Sequence, residues 1–200
     1  MANIADRSYG LTVLSPIAPG LTADGIPHDL AIRGELLALD ALAESPFADV
    51  PTTHLARWVV IGSLPYEGIP AIVDSLASKY LLFTSNFDGD LDEYLELMRT
   101  RMPDAVTCIW SHCMAFPGVR DRAAFAGYMK QCQVETSFFF GAYTKYTLDD
   151  VLRALDAQRR MAAFIADHQE QQSAPADLQR AFGELVATLA AAPTPRPGTI

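Results

Sequence analysis

The side chains able to do chemistry fall in three short stretches. Thr53 to Gly62 (THLARWVVIG) carries His54, Arg57 and Trp58; Ser85 to Gly89 (SNFDG) carries Asn86 and Asp88; Ala105 to Cys113 (AVTCIWSHC) carries Cys108, Trp110, His112 and Cys113. Histidine takes and gives protons near neutrality, and its neutral ring is also a metal ligand. His112 and His54 are therefore the candidate general bases, His112 the candidate metal ligand, and Asp88 the candidate catalytic carboxylate. Arg57, Trp58, Asn86 and Trp110 are the candidate substrate contacts: a guanidinium and an amide to hold polar groups, two indoles to wall an apolar cavity.

Each has a plainer reading. A histidine opening a strand, like His54, commonly bonds backbone at the edge of a core. His112 sits among Trp110, Ser111 and Cys113 at the end of an apolar stretch, where burial would lower its pKa and keep the ring neutral. Arg57 lies inside an otherwise apolar strand and must find a carboxylate, a carbonyl cluster or an anionic ligand; a structural ion pair is the first answer and substrate binding the second. Asp88, beside Asn86 and Gly89, also suits a turn. Cys113 invites a thiol nucleophile, but strand neighbours point to opposite faces, so His112 does not serve it. No nucleophile elbow, dinucleotide fingerprint, P-loop, HExxH or EF-hand loop is present.

Positioning these residues falls to the elements around them. Gly10 to Ile17 reads as a first strand, stopped by Ala18-Pro19-Gly20, and Leu30 to Ala43 as a helix at 3.6-residue spacing. Thr53 to Gly62 is the second strand and Lys79 to Asn86 the third. Asp90, with Glu93 three residues on, caps a helix to about Met102. Ala105 to Cys113 reads as a fourth strand, so the order is βαββαβ. This predicts an α+β fold of the ferredoxin-like kind, an antiparallel sheet with helices on one face. A short helix (Asp121 to Gln133), an extra aromatic strand (Glu135 to Phe140), a helix capped by Thr147 and Asp150 to about His168, and a last helix capped by Ser173 extend it. Residues 1–192 form one domain with this helical extension, and 193–200 a flexible tail. Strand alternation puts His54 with Trp58, and Cys108 with Trp110 and His112; turned to the uncovered face, two histidines and two tryptophans line one cavity.

Composition narrows the partners. With a net charge of −9 over 200 residues, the chain lacks the clustered cations that a nucleic-acid backbone requires. No apolar run approaches the roughly 18 to 20 residues that span a bilayer. The opening MANIADRSYG is not a secretory signal, so a cytoplasmic protein with no membrane partner is expected. Three cysteines without a CxxC pair read as reduced thiols.

Ser85-Asn86-Phe87-Asp88-Gly89 resembles the GxxDG motif of dye-decolourising haem peroxidases, whose domains are also ferredoxin-like, with Ser85 where that motif has its first glycine. The resemblance implies a distal-side role for Asp88 and a haem cofactor. The axial histidine is not carried by the motif, and His112 stands in for it only by default. From about Tyr9 to His168 the element order is similar to that of the dimeric α+β barrel superfamily, which includes chlorite dismutase-like haem proteins and small cofactor-free monooxygenases. That likeness implies a homodimer closing over an apolar cavity. The chain is short for a peroxidase built of two such domains, so haem would need a dimer or a different pocket.

The expectation is thus a small-molecule oxidoreductase, oxygenase- or peroxidase-like, acting on an apolar or aromatic substrate in a sheet-face cavity. Two other readings fit the same residues: a cofactor-free isomerase or cyclase, and a non-catalytic ligand-binding or assembly module.

Overall fold

Alternation drives the sheet. In Ser8 to Ile17 every second residue, Tyr9, Leu11, Val13, Ser15 and Ile17, is buried, and Leu81, Phe83, Ser85 and Phe87 repeat the pattern 70 residues later. A computed structural model, which describes residues 2–64, 68–69, 75–171 and 174–200, pairs these segments in one antiparallel sheet. The strands are β1 (Ile4–Ala5), β2 (Ser8–Pro16), β3 (Thr53–Ser63) and β4 (Ser75–Asp88), in the spatial order β1-β2-β4-β3. Six α-helices accompany them among the described residues: α1 (His28–Ala38), α2 (Leu91–Arg101), α3 (Pro103–Trp110), α4 (Arg122–Gln131), α5 (Leu148–Gln171) and α6 (Pro175–Ala191). No helix among the described residues is long and apolar enough to cross a membrane.

The core lies between one face of the sheet and helices α1 to α4, which contribute Ile32, Leu95, Met98, Val106, Ile109, Trp110, Phe125 and Met129. Helix α2 starts where the sequence places it: the Asp90 carboxylate accepts the amides of Asp92 and Glu93 at 2.7 and 3.4 Å. Helix α5 opens on a reciprocal cap. Thr147 N donates to Asp150 Oδ2 at 2.9 Å, and Asp150 N donates to Thr147 Oγ1 at 3.2 Å. Ser173, expected to cap the last helix, lies outside the described residues. After α6 the chain returns to the segment before β3, where Arg196 meets Asp49 at 3.1 Å and donates to the Ala43 carbonyl.

Two expected strands are not strands. Ala105 to Cys113 belongs largely to α3, because Pro103 opens a helix at its first position and Val106, Ile109 and Trp110 then fall on one buried face at i, i+3 and i+4. A short, mostly apolar run such as Ala105 to Trp110 satisfies a buried strand and a buried helix alike, and the preceding proline decides. The βαββα portion of the expected order stands, and its last strand does not. Beyond β1, that edge of β2 carries single bridges among the described residues, Val13 with Gln133 and Ile17 with Cys113.

Glu135 to Phe140 is the second correction. Pairing along β2 stops after Val134, whose amide donates to the Thr12 carbonyl, because β1 already occupies the next stretch of that edge. The chain turns away there and crosses the open face of the sheet.

Candidate functional site

The register of β3 on β4 slips by one residue at His54. Thr53 pairs with Phe87 and Leu55 with Asn86, so His54 has no partner of its own and forms a β-bulge. On the inner side Thr53 and Ser85 both bond the Tyr94 hydroxyl, at 3.4 and 2.7 Å, which satisfies the buried polar groups under the bulge. Burial pushes the Tyr94 phenol up to about 12, so it stays protonated. On the outer side the bulge swings His54 away from Trp58 and onto the open face, beside Leu55 and Asn86.

There His54 Nε2 meets Asp88 Oδ1 at 2.8 Å, with both side chains about nine-tenths buried. An ionised carboxylate only accepts, so Nε2 carries the hydrogen and donates it. The other Asp88 oxygen accepts the Leu148 amide at 2.7 Å, at the first turn of α5, where the helix dipole favours negative charge. Asp88 is therefore fixed at both oxygens, and it fixes the tautomer of His54. Nδ1 has no hydrogen-bond partner among the described residues and is the nitrogen left for chemistry.

His54, with Asp88 behind it, borders a cavity of about 230 Å³ lined also by Ser8, Leu55, Asn86, Phe139, Phe140 and Tyr143. Its roof is the segment that had been expected to form the aromatic strand. Phe139 lies so close over Gly10 that a Cβ there would sit 3.1 Å from the ring, which is why this strand has a glycine in its interior. Tyr143 approaches the His54 ring, with centroids 6.3 Å apart. Ser8 is the cross-strand partner of Asp88, but β4 lies between Ser8 and His54. Two strand spacings, roughly 10 Å, separate them, so the His54 ring is not beside Ser8 Oγ to activate it as a nucleophile. Ser8, Phe139 and Tyr143 were not legible as site residues; the interior Gly10 is the one sequence signal of a chain crossing there.

The two tryptophans lie elsewhere. Trp58 and Trp110 do meet, with ring centroids 5.9 Å apart, but on the helix-covered face, packed with Phe83 and Phe47. Trp110 is fully buried and donates to Ser15 Oγ at 3.2 Å. The two indoles are core, not cavity wall. Arg57 and Asn86 are on the open face with His54.

His112 follows α3 and pairs with His28 at the start of α1, Nδ1 to Nδ1 at 2.9 Å. Burial first and the neighbouring His28 second hold its pKa below the ordinary histidine value, partly offset by Glu35. A histidine whose folded pKa is depressed supports the fold above its unfolded pKa and loses that support as pH falls through the folded one. Thermal stability should therefore drop on acidification below about pH 6.5, and His112→Gln should flatten that slope in melts between pH 7.5 and 5. An unchanged slope would show that the pair does not titrate with folding. Cys113 is buried, its thiol pushed up to about 12 by burial, which removes it as a nucleophile.

The haem expectation asks Asp88 and His112 to flank one group. Asp88 faces Ser8 across the sheet, whereas the His112 carbonyl is bonded by Ala18. Ser8 and Ala18 stand at opposite ends of β2, roughly 30 Å apart along the chain. Pockets for drug-sized ligands run to about 300–1,000 Å³, and a cavity of about 230 Å³ is too small for a porphyrin. The residues present do not fit a haem at this place. Among the described residues no three His, Cys, Asp or Glu side chains gather into a metal-binding set.

No family model, no curated protein and no solved structure matches the chain. The likeness at Ser85 to Gly89 stands on those five residues alone, and what the site does is read from its own geometry.

Proposed function

We propose that this chain is a small-molecule enzyme that begins its reaction by taking a proton from a carbon acid, with His54 as general base. The observation that carries this reading is the His54–Asp88 pair at 2.8 Å on the rim of the aromatic-roofed cavity. Asp88 holds the ring by Nε2 and stabilises the imidazolium that forms when Nδ1 accepts a proton. The electron pair left on the substrate moves to its carbonyl oxygen, for which the Ser8 hydroxyl and the Asn86 amide are the donors at hand. A cavity of this size can seat a small apolar or aromatic body against Leu55 and Phe139 and leave its reacting end at the histidine.

Proton abstraction is the step of an isomerase or cyclase, and equally the opening step of an oxygenase that uses no cofactor. Both expected classes therefore share this machinery. The frame also favours the reading. Within the sheet order β1-β2-β4-β3, the three long strands, with α1 between β2 and β3 and α2 after β4, agree in part with a ferredoxin-like frame. The sheet face opposite the helices is where such a frame leaves room for a site.

Solvent deuterium incorporation tests it. Phenylacetone and phenylpyruvate, incubated with the protein in D₂O and followed by mass spectrometry, should exchange the hydrogens next to the carbonyl faster than in buffer. Exchange no faster than buffer for both would sink the reading.

A further inference from the structure

We infer that the substrate of this site is a small carboxylic acid with an apolar or aromatic body, and that Arg57 binds its carboxylate; this rests on the reading of His54 as the base. Arg57 stands on β3 opposite Thr84, on the same open face as Asn86. It borders a second cavity of about 280 Å³, lined by Leu55, Ala56, Arg57, Thr84 and Asn86. Leu55 and Asn86 line the first cavity too, so the two hollows adjoin.

The chain carries 24 acidic residues against 15 basic ones, yet none of the described ones pairs with this arginine. Among the described residues Arg57 takes part in no ion pair, whereas eight other lysine and arginine side chains do. Asp88 is the only acidic residue in β2, β3 and β4, and both its oxygens are already bonded to His54 and Leu148. The neighbours of Arg57 on the open face are Leu55, Val59, Leu82 and Thr84. A guanidinium set among apolar side chains and facing a hollow is a carboxylate receptor, because its planar donors match two oxygens at once. Leu55 and Arg57 are two residues apart, about 7 Å along the strand. An acid anchored at Arg57 can therefore lay its body past Leu55 and Asn86 and reach His54.

Binding of 3-phenylpropanoate and of its neutral amide, 3-phenylpropanamide, measured by calorimetry, tests the inference without requiring turnover. A hydrogen bond to a charged group is worth about 1.5–3 kcal/mol. The acid should therefore bind about tenfold or more tightly than the amide. Arg57→Gln should remove that preference and Arg57→Lys should keep part of it. The exposed position of Arg57 makes both variants fold. If acid and amide bind equally, or if Arg57→Gln leaves the preference intact, Arg57 is a solvated surface residue and the carboxylate class is wrong, while the reading of His54 survives. If neither molecule binds, the aromatic-roofed cavity is no site for such a body and both fall.

Discussion

Replacing His54 by glutamine is expected to cut proton abstraction by about 10²- to 10⁴-fold, the usual contribution of a positioned general base. Glutamine retains the bulk of the ring and can still donate to Asp88, so the bulge and the first turn of α5 keep their contacts. What it lacks is a nitrogen lone pair able to accept a proton. The deuterium exchange assay should fall toward the buffer rate while the thermal melt stays within a few degrees of the parent. A variant that exchanges at the parental rate would assign the base to another residue. A variant that loses activity only because it unfolds would show a lowered melt first.

The largest stability effect is expected at Trp110. Its side chain is fully buried and packs edge-on against Phe83 and Trp58, with centroids 5.3 and 5.9 Å away. Trp110→Ala removes that contact, leaves a cavity and deprives the buried Ser15 hydroxyl of its donor. Truncations of this kind cost about 3–5 kcal/mol, against a total of about 5–15 kcal/mol for a domain. Urea melts should show a midpoint lowered by a third or more of the parental value. Trp110→Phe, which keeps an aromatic ring but not the indole N–H, should cost less than half as much. The alternative role, a wall of the substrate cavity, would leave the midpoint near the parent and change binding instead.

How far the sequence could be read differs from element to element, for physical reasons. The strands around Val13, Val60 and Phe83 follow from alternation and β-branching, and the starts of α2 and α5 follow from Asp90 and from Thr147 with Asp150. The segment around Trp110 is ambiguous because a short, mostly apolar stretch fits a buried strand and a buried helix alike, and only Pro103 at the first position of α3 decides between them. At the site, His54, Arg57, Asn86 and Asp88 were legible from residue type. Their grouping was not. Strict alternation assigns His54 to the face of Trp58, and only a one-residue bulge, which has no signature in residue types, reverses it. The His112 to His28 pairing joins residues 84 positions apart and rests on packing between α1 and α3. Phe138 to Phe140 has the composition of a strand, but β1 already holds the edge it would have joined.

The state of the His54 ring is the most direct test of the account. Nitrogen-15 NMR of the imidazole, recorded in the neutral form of the ring, should show Nε2 protonated and Nδ1 bare, as the bond to Asp88 requires. Asp88→Asn should abolish that preference, since an amide can also donate to Nε2. A neutral ring protonated on Nδ1, or a tautomer indifferent to Asp88→Asn, would contradict the claim that this carboxylate holds His54 as a base.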